Sequence, residues 1–181
     1  LMQTEVIISG FGGQGTLYAG QVLAYAAMDE GKQVTWIPSY GPEMRGGTAN
    51  CTVVVSDEEI GSPTVKHPKA VLALNLPSLD KYENMIAPGG CLVVNESMVN
   101  RKPERTDIRV VLLPANEIAR EIGNERATNM VMLGALLANM DILPIEALEK
   151  ALKNHTAQRL QKFVEMNIQA LRRGAEYRAN L

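Results

Sequence analysis

The sequence is short of several things. Aromatic residues make up only 4% of its 181 positions, too few for the stacking platforms on which single-stranded nucleic acids are read. An excess of one charge is also missing: 18 Lys and Arg against 20 Asp and Glu leave a formal net charge of −2. Neither nucleic acid nor a membrane surface is therefore expected as a partner. The longest nearly uniform apolar run, residues 130–138, falls far below the ~20 residues that cross a bilayer. There are two cysteines, with no CxxC spacing and no pair of histidines nearby, whereas a zinc or iron–sulfur site draws on about four such ligands. Cys51 and Cys91 each sit in an apolar, strand-like run and read as reduced core thiols. No Ser/His/Asp or Cys/His constellation can be assembled, and His67 and His155 receive no catalytic role. No secretory signal is legible, since Met2 is followed by polar residues and a short strand, and the expected location is cytoplasmic.

Against these gaps stands a composition that is 46% hydrophobic, that of an ordinary globular protein. The length suits a single domain over 1–181. Short apolar runs predict strands over 5–9, 34–38, 49–56, 71–74, 91–95 and 108–113. Helices are predicted over 17–30, 79–86, 117–122, 127–140, 144–153 and 157–177. The first helix has Thr16 as its expected N-cap, Leu17, Leu23, Ala24, Ala27 and Met28 on its apolar face, and Gly31 as its stop. Pro144 is expected at the first position of the fifth. The last carries a seam of Leu160, Phe163, Val164, Leu171 and Ala175. Asn129 reads either as an inward hydrogen-bonding residue or, by the simpler expectation, as a polar residue that opens the fourth helix, and Arg172 and Arg173 as a solvated face near a helix end. Strands alternating with helices predict an α/β fold: a three-layer α/β/α, Rossmann-like domain with a largely parallel or mixed sheet and a helical C-terminal tail.

The segment Gly10-Phe11-Gly12-Gly13-Gln14-Gly15 joins the first strand to the first helix and satisfies G-x-G-x-x-G. In that pattern the first glycine permits a tight turn, the second lets a backbone or phosphate approach, and the third lets helix and strand pack closely. The helix N-terminus beyond it favours an anion. A dinucleotide site also needs an acidic residue about 20 positions on, at the end of the second strand, to hold the ribose. Here that strand ends Trp36-Ile37-Pro38-Ser39, and Glu43 lies beyond it in a loop. A P-loop is excluded, because no Gly-Lys-Ser/Thr follows. The turn alone leaves three readings open: a dinucleotide site, a turn needed only for packing, or a surface that meets a substrate, cofactor or subunit of a larger assembly.

The stretch Ser39-Tyr40-Gly41-Pro42-Glu43-Met44-Arg45-Gly46-Gly47-Thr48 follows the second strand, so it is expected at the carboxyl end of the sheet, where open α/β folds bind ligands. Arg45 beside Gly46 and Gly47 would present its guanidinium to a carboxylate or phosphate without side-chain obstruction; an internal Glu43–Arg45 pair of little energetic worth is the alternative. Together with the glycine turn, with Glu59-Ile60-Gly61-Ser62-Pro63 and with Asn129-Met130-Val131-Met132-Leu133-Gly134, this stretch resembles the γ subunit of 2-oxoacid:ferredoxin (acceptor) oxidoreductases. The likeness covers nearly the whole chain, and its form is closer to the 2-oxoglutarate and branched-chain members than to the pyruvate type.

The resemblance implies an enzyme that oxidatively decarboxylates a 2-oxoacid with coenzyme A, gives an acyl-CoA and passes electrons to ferredoxin or a similar acceptor. It implies that thiamine diphosphate, Mg and Fe–S clusters sit on companion α, β and ferredoxin-like δ subunits. The chain itself has no thiamine-diphosphate Gly-Asp-Gly…Asn signature and no cluster-binding cysteines. It is accordingly expected to hold no redox cofactor and no catalytic residue, to complete the assembly and the approach of coenzyme A, and to be inactive when isolated. Whether the chain alone forms a homodimer is left open, although symmetric pairing is the commonest outcome for an isolated soluble subunit. The residues expected to contact a ligand or a partner are Gly10, Gly12, Gly13, Gln14 and Gly15 in the turn, and Ser39, Tyr40, Gly41, Pro42, Glu43, Met44, Arg45, Gly46 and Gly47 in the loop.

Overall fold

A computed structural model describes residues 2–40 and 48–179. Its strands are β1 (Gln3–Phe11), β2 (Gln33–Tyr40), β3 (Thr48–Ser56), β4 (Ala70–Ala73), β5 (Cys91–Asn95) and β6 (Arg109–Leu113). Its α-helices are α1 (Thr16–Asp29), α2 (Leu76–Tyr82), α3 (Ala115–Ile122), α4 (Thr128–Asn139), α5 (Ile145–His155) and α6 (Val164–Gly174). The six strands form one sheet in the order β2-β3-β1-β4-β5-β6. β1, β4, β5 and β6 run parallel, whereas β3 is antiparallel to both β1 and β2. The sheet is therefore mixed. Every residue of β4 and β5 is buried, as parallel strands covered on both faces must be.

The two faces are covered unequally. Val6, Ile8, Val53, Leu72, Val93 and Val111 point to the side that carries α1 and α3–α6. Ile7, Val71, Ala73, Leu92 and Val94 point the other way, against Leu79 and Tyr82 of α2 and Ile86 beyond it. The predicted three layers are present, with the outer layers unlike in thickness. On the thick side α4 and α6 cross in contact. A Cβ added to Gly134 would stand 1.9 Å from the Leu171 carbonyl oxygen, and one added to Gly174 would stand 1.8 Å from that of Val131.

Several local expectations are corrected. The N-cap of α1 is Gly15, at φ 74°, with no side-chain cap; Thr16 is the first helical residue, and its hydroxyl donates to the Ala49 carbonyl at 3.3 Å. Met28 is 57% exposed, whereas Leu23, Ala24 and Ala27 of the expected face are buried, together with Ala19, Val22 and Ala26. Pro144 is the N-cap of α5 and not its first residue. α2 starts earlier than expected because Asn75 caps it, accepting from Ser78 N at 2.9 Å. The long last helix is broken: Gln158–Phe163 is a 3-10 segment with no buried residue, and α6 begins only at Val164. His155 does have a partner, the Asp29 carboxylate at 2.9 Å, and it stacks on Tyr25 with ring centroids 4.4 Å apart. Arg172 and Arg173 pair with Glu149 and Glu121.

Candidate functional site

β1 leads through the glycine turn to α1 on the thick side of the sheet, while its parallel neighbour β4 leads through Asn75 to α2 on the thin side. The chain thus parts in opposite directions between β1 and β4, the arrangement that opens a crevice at the carboxyl ends of the strands. The turn itself is tightly specified. Gly13 and Gly15 take φ 91° and 74°, the left-handed region in which side chains are strained. Gln14 folds back on the turn: its Oε1 accepts from Phe11 N at 2.6 Å and its backbone N–H donates to the Phe11 carbonyl at 3.1 Å. A Cβ on Gly10 would meet that Oε1 at 2.6 Å and Leu74 Cβ at 3.0 Å, so Gly10 is needed for close packing.

Behind the turn, Asn129 is 4% exposed. Its Nδ2 donates to the Gly15 carbonyl at 2.9 Å and its Oδ1 accepts from Met130 N at 2.8 Å. It is an inward hydrogen-bonding residue, contrary to the simpler expectation of a polar helix opener. At the switch point Ser9 and Ser78 share a buried hydroxyl hydrogen bond of 2.8 Å. Asn95 Nδ2 donates to the Leu74 carbonyl at 3.3 Å and to Asn116 Oδ1 at 3.0 Å, while its Oδ1 accepts from Ala115 N at 3.2 Å. These side chains hold the ends of β4 and β5 and the start of α3 in one frame. Ser97 hydrogen-bonds the Glu117 carboxylate and holds its pKa below the usual carboxylate range.

Two clefts flank the turn. One, of about 270 Å³, is lined by Gly13, Gly15, Tyr18, Asn124, Arg126, Asn129, Thr156, Leu160, Phe163 and Asn167. The other, of about 300 Å³, is lined by Gly13, Gln14, Asn116, Arg120, Glu125, Arg126 and Thr128. Gly13 and Arg126 belong to both. Arg120 faces Glu125 at 3.5 Å across an exposed pair, and Arg126 makes no ion pair among the described residues. A free guanidinium beside the uncapped N-terminus of α1 favours an anion, and Tyr18, Leu160 and Phe163 offer an apolar wall next to it.

Of the residues expected at the site, Gly10, Gly12, Gly13, Gln14 and Gly15 form the turn at this edge. Ser39 and Tyr40 end β2 in register with Asn50 and Ala49, and Gly10 pairs with the same Ala49, so loop and turn leave from one edge of the sheet. Gly41, Pro42, Glu43, Met44, Arg45, Gly46 and Gly47 lie outside the described residues. The dinucleotide reading loses its geometry, because β3 stands between β1 and β2. The parallel neighbour of β1 is β4, which ends at Ala73 and is followed by Leu74 and Asn75; among the described residues no carboxylate follows that strand where a ribose would need one. Arg126, Asn116, Asn95 and Ser78 went unnoticed in the sequence. Arg126 had one usable signal, since a lone cation between Asn124 and the apolar run from Ala127 marks the approach to a helix start.

A family model described as pyruvate ferredoxin/flavodoxin oxidoreductase matches residues 5–177. The chain belongs to this family. It is 42% identical over 176 residues to the ketoisovalerate oxidoreductase subunit VorA of Methanothermobacter thermautotrophicus, covering 97% of this chain and 36% of that subunit. It is 37% identical over 178 residues to the 2-oxoglutarate synthase subunit KorC of Methanocaldococcus jannaschii, covering 97% of this chain and 94% of that one. The crystal structure of the γ subunit of a keto/oxoacid ferredoxin oxidoreductase from Geobacter sulfurreducens superposes with a TM-score of 0.85 at 32% identity, over 97% of this chain and 96% of that one. The chain thus spans about a third of the VorA relative, and nearly all of the separate KorC and γ chains.

Among the described residues no three His, Cys, Asp or Glu side chains lie together where they would hold a metal ion. Cys51 is on β3 and Cys91 on β5, both fully buried, and burial pushes their thiols up to about 12 and about 11. Such thiols remain protonated and poor ligands; an Fe–S cluster does not fit the described residues. No helix among them is long and apolar enough to cross a membrane.

Proposed function

We propose that the chain is the γ subunit of a multisubunit 2-oxoacid oxidoreductase acting on 2-oxoglutarate, with coenzyme A as cosubstrate and ferredoxin or a similar acceptor for the electrons. The observation that carries this reading is the end-to-end match to a separate KorC chain, 37% identical over 97% of one and 94% of the other. Thiamine diphosphate, Mg and the Fe–S clusters are assigned to α, β and δ partners. The part assigned to this chain is to complete the assembly in the cytoplasm and to shape the approach of coenzyme A, whose phosphates suit Arg126 and the amino end of α1.

A second reading, a branched-chain member acting on ketoisovalerate, is favoured by the 42% identity to VorA. One experiment separates the two. The tagged chain is purified together with its untagged neighbours, and reduction of an artificial acceptor is followed with 2-oxoglutarate, ketoisovalerate and pyruvate in turn, with and without coenzyme A. Turnover of 2-oxoglutarate at least tenfold faster than of the others is expected. Preference for ketoisovalerate replaces the first reading with the second, and recovery of the chain without thiamine- and iron-containing partners defeats both. Arg45→Ala then distinguishes a site from a docking role: an assembled but slow complex places the loop at the site, whereas loss of assembly makes it a contact between subunits.

A further inference from the structure

Residues 157–177 carry apolar positions that suit one continuous α-helix, yet Gln158–Phe163 is wound as a 3-10 segment running directly into α6. Runs of 3-10 helix beyond three or four residues are uncommon, and one placed within a helix often marks a hinge. Here it has six residues, none of them buried. The difference in winding has a geometric consequence. At about 120° per residue in a 3-10 helix, Leu160 lies about 120° around the axis from Val164; at about 100° per residue in an α-helix it lies about 40° away. Val164 and Ile168 are buried at 4% and 3% exposure, whereas Leu160 is 40% exposed. In the α state Leu160, Val164 and Ile168 would form one i, i+4, i+8 stripe against the core. In the 3-10 state Leu160 is left at the wall of the cleft beside Gly13 and Gly15.

We propose that residues 158–163 are a two-state strap, in which conversion from 3-10 to α-helix swings Leu160 off the cleft and onto the core stripe of α6, so that the strap sets access to the glycine turn and Arg126. The sequence pattern favours one state and the backbone displays the other, as expected of an element whose two arrangements are close in free energy. Winding six residues as α-helix shortens them by about 3 Å. Thr156 and Ala157 are already extended, at ψ 128° and 143°, so the length is made up by Gln158 leaving the helix. Little opposes this, because Gln158 is exposed. The strap itself is independent of the occupant; its bearing on turnover rests on the reading that coenzyme A approaches through this cleft.

The test uses the isotope-labelled full chain and the carbon and amide chemical shifts of residues 158–163. Gln158→Asp supplies an N-cap at the residue from which the α state starts and biases that state by about fivefold, and Leu160→Asn removes the apolar side chain that the α state buries. Strand resonances report that each variant is folded. The shifts of the wild type and both variants are expected to fall on one line, with Gln158→Asp displaced toward helical values and Leu160→Asn displaced away from them. Shifts that change only at the substituted residue and its neighbours, or that scatter off a line, overturn the strap. Addition of coenzyme A to the wild type is expected to move the same resonances along that line. If they stay still while the variants remain collinear, the strap stands and the coenzyme reading of the cleft falls.

Discussion

At the scale of single residues, the glycine turn depends on one distant side chain. Gly15 is strained for any other residue at φ 74°, and a Cβ there would meet Asn129 Nδ2 at 2.5 Å. Gly15→Ala is therefore expected to cost about 1–3 kcal/mol, and Asn129→Ala a similar ~1–3 kcal/mol through the lost buried hydrogen bond. The two should be less than additive in urea unfolding, because each removes the same contact. The glycine was legible in the sequence because its pattern repeats a known turn. Asn129 was legible only as one of two readings, since a lone Asn at a helix start does not reveal which way the helix is rotated. The cysteines were legible, and they carry a pH dependence. A thiol raised from 9.0 to about 12 at Cys51, or to about 11 at Cys91, is protonated in the fold while the unfolded chain ionises. Their contribution is complete below pH 9 and is lost as pH rises from there toward the folded values, at up to about 1.4 kcal/mol per pH unit for each thiol. Urea unfolding between pH 8 and 10.5 should show this fall, and Cys51→Ala should reduce its slope. Neither thiol should react with a disulfide reagent at pH 8 until the chain is unfolded.

At the scale of elements, strand positions were legible to within a few residues, because short apolar runs between glycines and prolines leave little choice. Strand neighbours were not. Nothing local in Val34 or Val53 says that β3 will turn back between β1 and β2, since pairing is decided by which apolar faces meet after collapse. The broken last helix escaped notice for the opposite reason: its periodicity is sound over 157–177, and the winding departs from it. The crossing of α4 and α6 was equally hidden, because Gly134 and Gly174 look like ordinary helix glycines until the helices are placed together. Their closeness makes a sharp expectation. Gly134→Ala should push the helices apart and cost about 1–3 kcal/mol as an overpacked core, although alanine is the better helix former by about 1 kcal/mol. A lower melting temperature in Gly134→Ala, with an unchanged one in Gly61→Ser as an exposed control, checks that packing outweighs propensity; Gly61 has nothing within 4 Å and no left-handed φ to strain a serine.

At the scale of the whole molecule, a net charge of −2 conceals a local cationic site. Arg126, and Arg120 with its partner Glu125, stand beside the glycine turn that opens α1, while Arg101, Arg105, Arg172 and Arg173 are paired to carboxylates elsewhere. This separates two uses of the edge. If, in the complex proposed above, it receives a phosphorylated cosubstrate, Arg126→Ala should raise the KM for coenzyme A about tenfold or more, the worth of one charge-assisted hydrogen bond of about 1.5–3 kcal/mol, and leave the KM for the 2-oxoacid unchanged. The same variant should still assemble, because one exposed cation on an interface rim contributes little to affinity. If the edge instead receives an acidic surface of a partner, Arg126→Ala should speed dissociation of the complex in a salt-dependent way and leave both KM values where they were. Measuring subunit exchange at low and high salt beside the two KM values decides between them, and an Arg126→Lys variant tells whether charge alone suffices or the planar fork of the guanidinium is required.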